Sequence, residues 1–472
     1  MIPEATLVAI LLIVFCADFA LHKSERKSFV LSVLTGALLL CQLVPTVLAD
    51  SHATAFGGIY VVSPIVNVMK TILTAGTFIV VVMAQGWIKS SAEKISGEFY
   101  MLVLSTLLGM YVMMSSGSFL MFFLGLEMAS VPMACLVAFD KKKKDSAEAA
   151  AKYILMATFS SGVMLFGISF LYAAAGTLYF DDVATVLTAK PLSIMGLVFF
   201  FSGLGFKISL VPFHFWTADT YQGAPTPVTG YLSVVSKGAA ALTLAIILPK
   251  VFGALVDYWQ PMLWIVIMLT ITIGNLMAIR QSELKRFMAF SSISQAGYIM
   301  LAVVGGDIVA SQAALTFYVL VYVVANMAVF TVISAVEENG GNTQMSAYNG
   351  LYQTNPKLSF LMTVALFSLA GIPPFAGMFS KFFVFMAGVD GHETAPFWPY
   401  FVVFIALINT VVSLYYYLLI VKAMYIKQTD SPLPAFKLAG SVKVALCICT
   451  IGIMLAGVCS CVYGWIADAA AM

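Results

Sequence analysis

Six ionisable residues stand inside long apolar stretches of this 472-residue chain. They are one glutamate and five lysines: Glu127, Lys70, Lys152, Lys207, Lys237 and Lys381. An ionised side chain at the centre of a membrane-spanning helix costs about 2.5–3.5 kcal/mol on insertion scales. Such groups can bind and release protons, because burial disfavours the charged form of a lysine and a nearby carboxylate restores it. The six residues therefore predict proton or ion handling inside a membrane.

The overall composition indicates a membrane protein and argues against several other classes. Apolar residues make up 61% of the chain and charged residues 10%, against about 25% charged residues in soluble proteins. The net charge of +2 is too small and too dilute to indicate a nucleic-acid partner. The seven cysteines form no C-x-x-C pair, so we expect small buried apolar residues rather than metal or iron–sulfur ligands. No G-x-G-x-x-G motif follows a strand, so no dinucleotide or flavin site is predicted.

The apolar stretches divide into fourteen predicted helices, because a helix needs about 20 residues to cross a bilayer. We therefore predict an all-α polytopic membrane protein. The first apolar stretch is preceded by Glu4 and followed by no cleavage pattern, so we expect a spanning helix rather than a secretion signal. The predicted spans are 5–21, 29–48, 59–86, 99–115, 117–139, 149–175, 191–212, 227–249, 260–279, 287–304, 309–336, 358–387, 398–421 and 444–465.

The lysines and arginines predict how these helices are oriented. One alternating set of loops carries about seventeen of them, including the run from Lys141 to Lys144, whereas the other set carries only Lys190 and Lys250. The positive-inside rule places the first set in the cytoplasm. Both termini should then lie outside, in the periplasm of a bacterium, with the chain in its inner membrane. The four-lysine run is interpreted as a topology determinant, with lipid headgroup binding as a weaker alternative.

Two of the apolar stretches are too long for one straight helix. Residues 191–218 and 357–388 each exceed about 40 Å at 1.5 Å per residue, against a hydrocarbon core of about 30 Å. The first contains Pro212, and the second contains Gly371, Pro373 and Pro374. We therefore predict that helices 7 and 12 are discontinuous. Broken helices that carry a charge, here Lys207 and Lys381, mark ion pathways in transporters.

Glu127 and Lys237 lie near the middle of their predicted helices. No lysine stem can reach the interface from the position of Lys237. A purely structural explanation would be a protonated carboxylate or a fixed ion pair for Glu127, and a structural cation for Lys237. We favour a role for both in proton transfer, since uncompensated charges at this depth are costly.

The remaining candidates have stronger structural alternatives. Lys152 lies one turn from Glu148 at the end of its helix, so extension to the interface explains it as well as function does. Lys70 is interpreted as structural. His214 follows the break at Pro212, where it is either an ordinary hydrogen-bonding group or a group at the point of proton entry.

The positions of the breaks also indicate an internal repeat. Helices 4–8 and helices 9–13 each have a long broken helix in fourth place. Because five is odd, the second copy must be inverted relative to the first, as in inverted-repeat transporters. This pattern divides the single membrane domain, 1–472, into N-terminal helices 1–97, a first repeat 98–256, a second repeat 257–428 and a final helix 429–472.

Four stretches of the sequence resemble a known family. They are FFLGLEMASVPM (122–133), GFKISLVPFHFWTADTYQGAPTPVTGYLSVVSKGAA (205–240), LKRFMAFSSISQAGYIML (284–301) and LAGIPPFAGMFSKFFVF (369–385). They closely resemble the antiporter-like proton-pumping subunits of respiratory complex I, the NADH:quinone oxidoreductase, and the similarity extends over nearly the whole chain. Within that group, a lysine rather than a glutamate at position 381, and only about seven residues after the last predicted span, favour one of the three subunit types.

The resemblance implies roles for the charged residues. Glu127 matches the glutamate of the family's fifth helix, which is expected to form a charge pair with the seventh-helix lysine, Lys207. Lys237 matches the central protonatable residue of the eighth helix, and Lys381 the twelfth-helix residue near the outward exit. Lys152 matches a further family lysine, and His214 a histidine beside the inward path.

The resemblance also implies an activity and partners. The activity is proton translocation from cytoplasm to periplasm, driven by quinone reduction in other subunits. Quinone, FMN and iron–sulfur clusters are expected in those subunits, with no cofactor in this chain. The implied partners are neighbouring membrane subunits of the M and K types, the peripheral arm and the lipid bilayer, and not nucleic acid. Two alternatives stay open, namely a subunit of a multisubunit sodium/proton antiporter and a structural spacer.

Overall fold

The computed structural model describes residues 1–48, 52–390, 397–429 and 433–472. These residues form a helical bundle in which each of the fourteen predicted spans has a counterpart. Twelve of the described helices, including the first half of the seventh span, are long and apolar enough to cross a membrane. The helices α1 to α14 are, in chain order, Ile2–Ala20, Lys27–Val47, Pro64–Ser91, Ser96–Met114, Phe119–Val137, Lys144–Ala175, Pro191–Ile208 with Phe215–Gly223, Thr226–Val251, Val256–Ile279, Leu284–Val303, Ile308–Glu338, Pro356–Ala370 with Ala376–Val389, Phe397–Tyr425 and Gly440–Val458.

Helices α7 and α12 are discontinuous, as predicted. We call their halves α7a (Pro191–Ile208), α7b (Phe215–Gly223), α12a (Pro356–Ala370) and α12b (Ala376–Val389). Helix α8 is continuous but changes its winding, because Leu232–Ser236 forms a π-helical segment between two α-helical parts. The prediction of an all-helical membrane protein with broken helices 7 and 12 is confirmed.

Short elements connect the membrane helices. Strands β1 (Ala53–Ala55) and β2 (Tyr60–Val62) pair antiparallel ahead of α3, so the third span begins later than residue 59. Helices Phe180–Val186 and Leu351–Thr354 lie between spans, and single 3₁₀ turns occur at Phe56–Gly58, Glu93–Ile95, Gly253–Leu255 and Met345–Tyr348.

The last predicted span, 444–465, is shorter in the structure. Helix α14 ends at Val458, because Cys459 adopts an extended backbone conformation, and Cys461–Ala471 forms a separate helix. This final helix packs on α3 and α11. The expectation of buried cysteines is also wrong, since only Cys449 is buried and most of the seven face outward. Outward positions suit a cysteine here, because lipid tails are as apolar as a protein core.

Helices α8 and α11 form the centre of the bundle. In the most apolar 18-residue stretch of each helix, 94% of the residues are buried, compared with 22% in α1. Close packing of neighbouring helices depends on glycine: a Cβ on Gly109 of α4 would lie 2.4 Å from the backbone N of Ala129 on α5. A Cβ on Gly274 of α9 would lie 2.8 Å from the backbone N of Ser294 on α10. Small residues at such crossings let membrane helices approach closely.

Helices α4–α8 and α9–α13 share a sequence of features. Each group starts with a glycine-packed pair, continues with a long helix of 32 or 31 residues, α6 or α11, and then has the broken helix. These shared features support the division at residues 98–256 and 257–428 that we propose.

An even number of spans should bring both ends of the chain to the same face of the membrane. In agreement, the His52 ring, in the α2–α3 connection, lies 2.5 Å from the backbone oxygen of Met472. The opposite face carries the cation-rich loops, and we call it the cation-rich face. The same orientation predicts that Asp50, in the α2–α3 connection, faces outward, and this residue lies outside the described residues.

The orientation can be tested with single cysteines in a chain whose seven native cysteines are replaced. Positions 142 and 307 are exposed on opposite faces. If the cation-rich face is cytoplasmic, a membrane-impermeant maleimide added outside should label Asp307→Cys and leave Lys142→Cys unlabelled until the membrane is opened. The reverse pattern would show that the chain is inserted the other way.

Candidate functional site

Three lysines lie in the interior of the bundle without an acidic partner. Lys207, Lys237 and Lys381 are 3%, 1% and 4% exposed. Among the described residues, none of their ammonium groups has a carboxylate oxygen within 4.0 Å. Each instead donates to neutral oxygens. A buried ammonium held in this way has lost much of the solvation that stabilises its charge in water.

The two broken helices end in the same motif. In both α7a and α12a, a residue with left-handed φ follows the last helical turn and the chain bonds back to that turn, as in a Schellman motif. The left-handed residue is Ser209 (φ 69°) in one and Gly371 (φ 88°) in the other. The predicted breakers Pro212, Pro373 and Pro374 follow directly, where they cannot continue the helix. Each break leaves backbone groups inside the bundle that need partners.

Lys207 lies on the last turn of α7a, next to the first break. Its Nζ donates to Ser130 Oγ on α5 at 2.8 Å and to the Tyr153 hydroxyl on α6 at 3.3 Å. The break itself is closed by α9, since the backbone N–H of Val211 donates to Thr270 Oγ1 at 3.0 Å. The ammonium therefore joins three helices through neutral hydroxyl groups.

Glu127 does not form the direct pair with Lys207 that the family resemblance implies. Its carboxylate accepts a hydrogen bond from Ser161 Oγ at 2.5 Å, while Ser130, one turn further along α5, holds the Lys207 ammonium. Glu127 and Ser130, the partner of Lys207, thus lie one turn apart on α5, with no direct contact between the two charged groups. Glu127 is partly exposed on the outside of the isolated chain, between Leu124 (50% exposed) and Met128 (40% exposed).

Lys237 directly follows the π-helical segment of α8. Its Nζ donates to Ser292 Oγ on α10 at 2.7 Å and lies 5.5 Å from the ring centre of Tyr221 on α7b. The π segment is held by α11, because Asn326 Nδ2 donates to Ser233 Oγ at 2.7 Å. π segments occur frequently at functional sites.

Lys381 lies on α12b and reaches back across the second break. Its Nζ donates to the carbonyl oxygen of Ala370, at the end of α12a, at 2.9 Å and lies 5.0 Å from the Tyr298 ring centre. The preceding carbonyl, that of Leu369, accepts from Gln295 Nε2 at 3.3 Å. The end of α12a thus supplies the two carbonyl oxygens that accept hydrogen bonds from Lys381 and Gln295.

One face of α10 connects the surroundings of the central and outer lysines. Ser292, the hydrogen-bond partner of Lys237, lies one turn before Gln295. The Gln295 amide donates to the carbonyl of Leu369, and the next carbonyl, that of Ala370, accepts from Lys381. Gln295 also contacts the hydroxyl groups of Tyr318 and Tyr417. A small cavity of about 10 Å³ borders Gln295 and Lys381, which is about the space that one water molecule needs.

Lys152 and His214 lie apart from this hydrogen-bonded arrangement. The Lys152 side chain is 46% exposed, and its Nζ lies 2.8 Å from carboxylate oxygens of both Glu148 and Asp219 on the cation-rich face. His214 is 9% exposed and precedes α7b, and its Nδ1 atom has no hydrogen-bond partner among the described residues. The structure therefore places Lys152 at the membrane interface. This position agrees with the alternative in which its side chain extends to the interface.

Lys70 has an acidic partner, unlike the three central lysines. It is fully buried, and its Nζ lies 2.5 Å from Oε1 of Glu4, at the start of α1. The pair joins α1 to α3 near the face opposite the cation-rich one. This arrangement fits the structural interpretation of Lys70.

Sequence reasoning missed a further buried lysine at the cation-rich face. The positive-inside count places Lys285 in a cytoplasmic loop, but the side chain is 5% exposed and donates to the carbonyl oxygen of Ala224 at 2.7 Å. It borders a cavity of about 240 Å³ that is also lined by Asp140, Thr226 and Glu337. Glu337 accepts a hydrogen bond from Thr226, the first residue of α8. The cavity thus opens onto the helix that carries Lys237.

Comparison with known proteins agrees with this architecture. Residues 116–413 match the family described as "NADH:quinone oxidoreductase/Mrp antiporter, TM". The chain belongs to this family. The matched residues of the NADH:quinone oxidoreductase/Mrp antiporter family extend from the end of α4 into α13, and so include every lysine and acid of the central arrangement.

Individual members of the family are similar over the full length. NADH-quinone oxidoreductase subunit N of Phocaeicola vulgatus is 55% identical, with 99% of this chain and 97% of that protein covered. A chain of respiratory complex I from Thermus thermophilus has a TM-score of 0.77 at 30% identity, with 96% of each chain covered. A chain of the Mrp complex from Dietzia shares the fold, with a TM-score of 0.85 at 19% identity and 100% and 97% coverage.

Proposed function

We propose that this chain is the subunit N type of antiporter-like membrane subunit in NADH:quinone oxidoreductase, and that it translocates protons across the inner membrane. The observation that carries the proposal is the set of three buried lysines, each held by neutral oxygens and placed at a helix break or a π segment. The similarity to subunit N of other bacteria over nearly the whole chain supports the assignment to that complex.

The lysines act as successive proton carriers in this proposal. A buried ammonium is destabilised by loss of solvation and stabilised by a nearby negative charge. Movement of the Glu127 side chain toward or away from Lys207 therefore switches Lys207 between holding its proton and releasing it. The released proton passes to Lys237, and from there, along the Ser292 and Gln295 face of α10, to Lys381.

The two ends of the path differ in their surroundings. The cavity beside Lys285 and Glu337 lies at the cation-rich face and borders the start of α8, so we assign it to proton uptake. Lys152 and His214 lie at the same end and belong to the uptake side. Lys381 lies on the outward half of α12, and we assign it to proton release.

The cofactors of the complex are carried by the partner subunits of this chain. Electron transfer from NADH to quinone takes place in other subunits, which carry FMN, the iron–sulfur clusters and the quinone site. The direct neighbours are membrane subunits of the M and K types. This chain supplies the charged path and no redox centre.

The assignment of Lys381 provides a test of the proposal. In vesicles containing the assembled complex, Lys381→Met removes the last protonatable group and should lower the protons pumped per NADH oxidised. Lys381→Glu keeps a protonatable group beside the water-sized cavity and should retain more pumping than Lys381→Met. Lys357→Met, at an exposed lysine on the same helix, serves as the control. Equal pumping by Lys381→Met and the parent complex would show that protons leave by another path.

A sodium/proton antiporter subunit is the second candidate function. It is favoured by the family description, which includes Mrp antiporters, and by the shared fold of the Dietzia Mrp chain. Sodium-dependent proton movement in vesicles without NADH would support it. Proton movement that requires NADH and quinone and is unchanged by sodium would favour the complex I assignment.

A further inference from the structure

A partly exposed strip of α3 between α2 and α14 lies outside the proton path, and we call this strip the groove. Its floor is a stripe of half-exposed residues along α3, spaced three or four apart: Thr71, Ala75, Phe78, Val82 and Gly86. α3 packs against both α2 and α14. On the α2 side, a Cβ on Gly36 would lie 3.5 Å from the Phe78 ring. The groove therefore runs between two membrane helices, with small and apolar side chains along its floor.

The groove opens into a cavity at the cation-rich face. The cavity has a volume of about 550 Å³ and is lined by the end of α3, the connection between α1 and α2, and the start of α14. From Lys89 at the cavity to Phe78 in the groove, α3 rises by about 16 Å, which is about half of the 30 Å hydrocarbon core. A ligand with one polar end and a chain as long as one membrane leaflet fits this shape.

The charged residues of the cavity lining carry both signs, and the Glu338 carboxylate lies beside Gly86. Its lining includes two cations, Arg26 and Lys89, and two carboxylates, Glu25 and Glu93. All four side chains are exposed, and none forms an ion pair within 4.0 Å among the described residues. A zwitterionic headgroup can satisfy both pairs at once, with its phosphate at the cations and its amine at the carboxylates.

We propose that this cavity and groove bind a phospholipid with a phosphoethanolamine headgroup. A primary ammonium offers three N–H donors to the carboxylates. A quaternary ammonium has no N–H donor and is recognised by aromatic cages, whereas Phe29 is the one aromatic side chain of this lining. An anionic headgroup without an amine could place its phosphate at Arg26 and Lys89 but would leave Glu25 and Glu93 without a cationic partner. The lining therefore selects phosphatidylethanolamine over phosphatidylcholine and phosphatidylglycerol.

The test uses the assembled membrane complex exchanged into vesicles with equal amounts of these three lipids. After purification, the lipids that stay bound are measured by mass spectrometry. Phosphatidylethanolamine should be enriched several-fold over the other two. Arg26→Gln with Lys89→Gln should lose this enrichment, whereas Glu25→Gln with Glu93→Gln should shift it toward phosphatidylglycerol. Lys23→Gln with Lys94→Gln, two loop lysines outside the cavity, is the matched control and should keep it.

Two results would overturn the proposal. The first is a bound-lipid composition equal to that of the vesicles, or one that the four cavity substitutions leave unchanged. The second concerns the occupant: a photoreactive amino acid in place of Phe29 should give a lipid adduct, and an adduct with a neighbouring polypeptide instead would assign the groove to a protein partner. All four charged side chains are exposed, so these substitutions leave the packing of the bundle intact.

Discussion

Lys237→Met should lower coupled proton pumping by at least about tenfold, because a positioned proton-transfer group contributes about 10²–10⁴ to a rate. Lys237 is 1% exposed and has Ser292 as its hydrogen-bond partner, at the point where the π segment of α8 ends. Methionine keeps the length and the apolar stem of lysine, so the packing of α8 is preserved while the carrier is removed. The measurement is the acidification of vesicles containing the assembled complex, with NADH oxidation followed in parallel.

Replacement of Lys237 by arginine distinguishes a proton carrier from a structural cation. Guanidinium stays protonated under all physiological conditions and cannot pass a proton on, so Lys237→Arg should fail as Lys237→Met does. Recovery of pumping by arginine would make Lys237 a structural cation. The control is Lys250→Met at the other end of α8, where the lysine is 35% exposed and pairs with Asp181. That variant should pump normally.

Glu127→Gln should lower proton pumping and coupled quinone reduction together, by roughly an order of magnitude. A nearby carboxylate favours the charged form of a buried lysine, and a loss of about 1.4 kcal/mol in this interaction corresponds to about tenfold in rate. Glutamine can still accept the hydrogen bond from Ser161 but removes the charge that acts on Lys207. The complex should therefore assemble, and the loss should appear in turnover.

The matched control for this substitution is Glu148→Gln. Glu148 lies on α6 and is 66% exposed in its ion pair with Lys152, so removal of its charge should change turnover little. Normal coupled turnover in Glu127→Gln would remove Glu127 from the switching step. A loss of assembled complex, seen by native gel, would instead indicate that the carboxylate is needed for contact with a neighbouring subunit.

The spans and the breaks could be predicted from the sequence because each depends on local properties. Hydrophobic runs of about 20 residues define membrane helices, and proline cannot continue a helix. The costs of charge at mid-membrane likewise singled out Lys207, Lys237 and Lys381. The hairpin at β1 and β2 was missed because three-residue strands carry too little pattern to distinguish them from the start of an apolar helix.

The partners of the charged residues could not be predicted, because they depend on tertiary packing. Lys285 lies at the boundary of a polar loop, so the sequence assigns this lysine to the loop. In the folded chain, α8 and α11 bury Lys285. Ser292 and Gln295 are visible in the sequence as polar residues one turn apart in an apolar helix, yet their spacing alone does not show that they face two different lysines. For Glu127, sequence similarity indicates a lysine partner, whereas the side chain points toward Ser161.

The partly exposed position of Glu127 on the isolated chain has a consequence for assembly of the complex. In the isolated chain this carboxylate lies between outward-facing Leu124 (50% exposed) and Met128 (40% exposed), and a charge left uncovered at this depth of a bilayer is costly. A neighbouring subunit that covers this side of α5 would supply polar contacts on the outer side of Glu127. Under the proposed mechanism, the surroundings of the residue that acts on Lys207 would then be complete only after the chain has joined its complex, so that assembly and competence for proton transfer would be coupled.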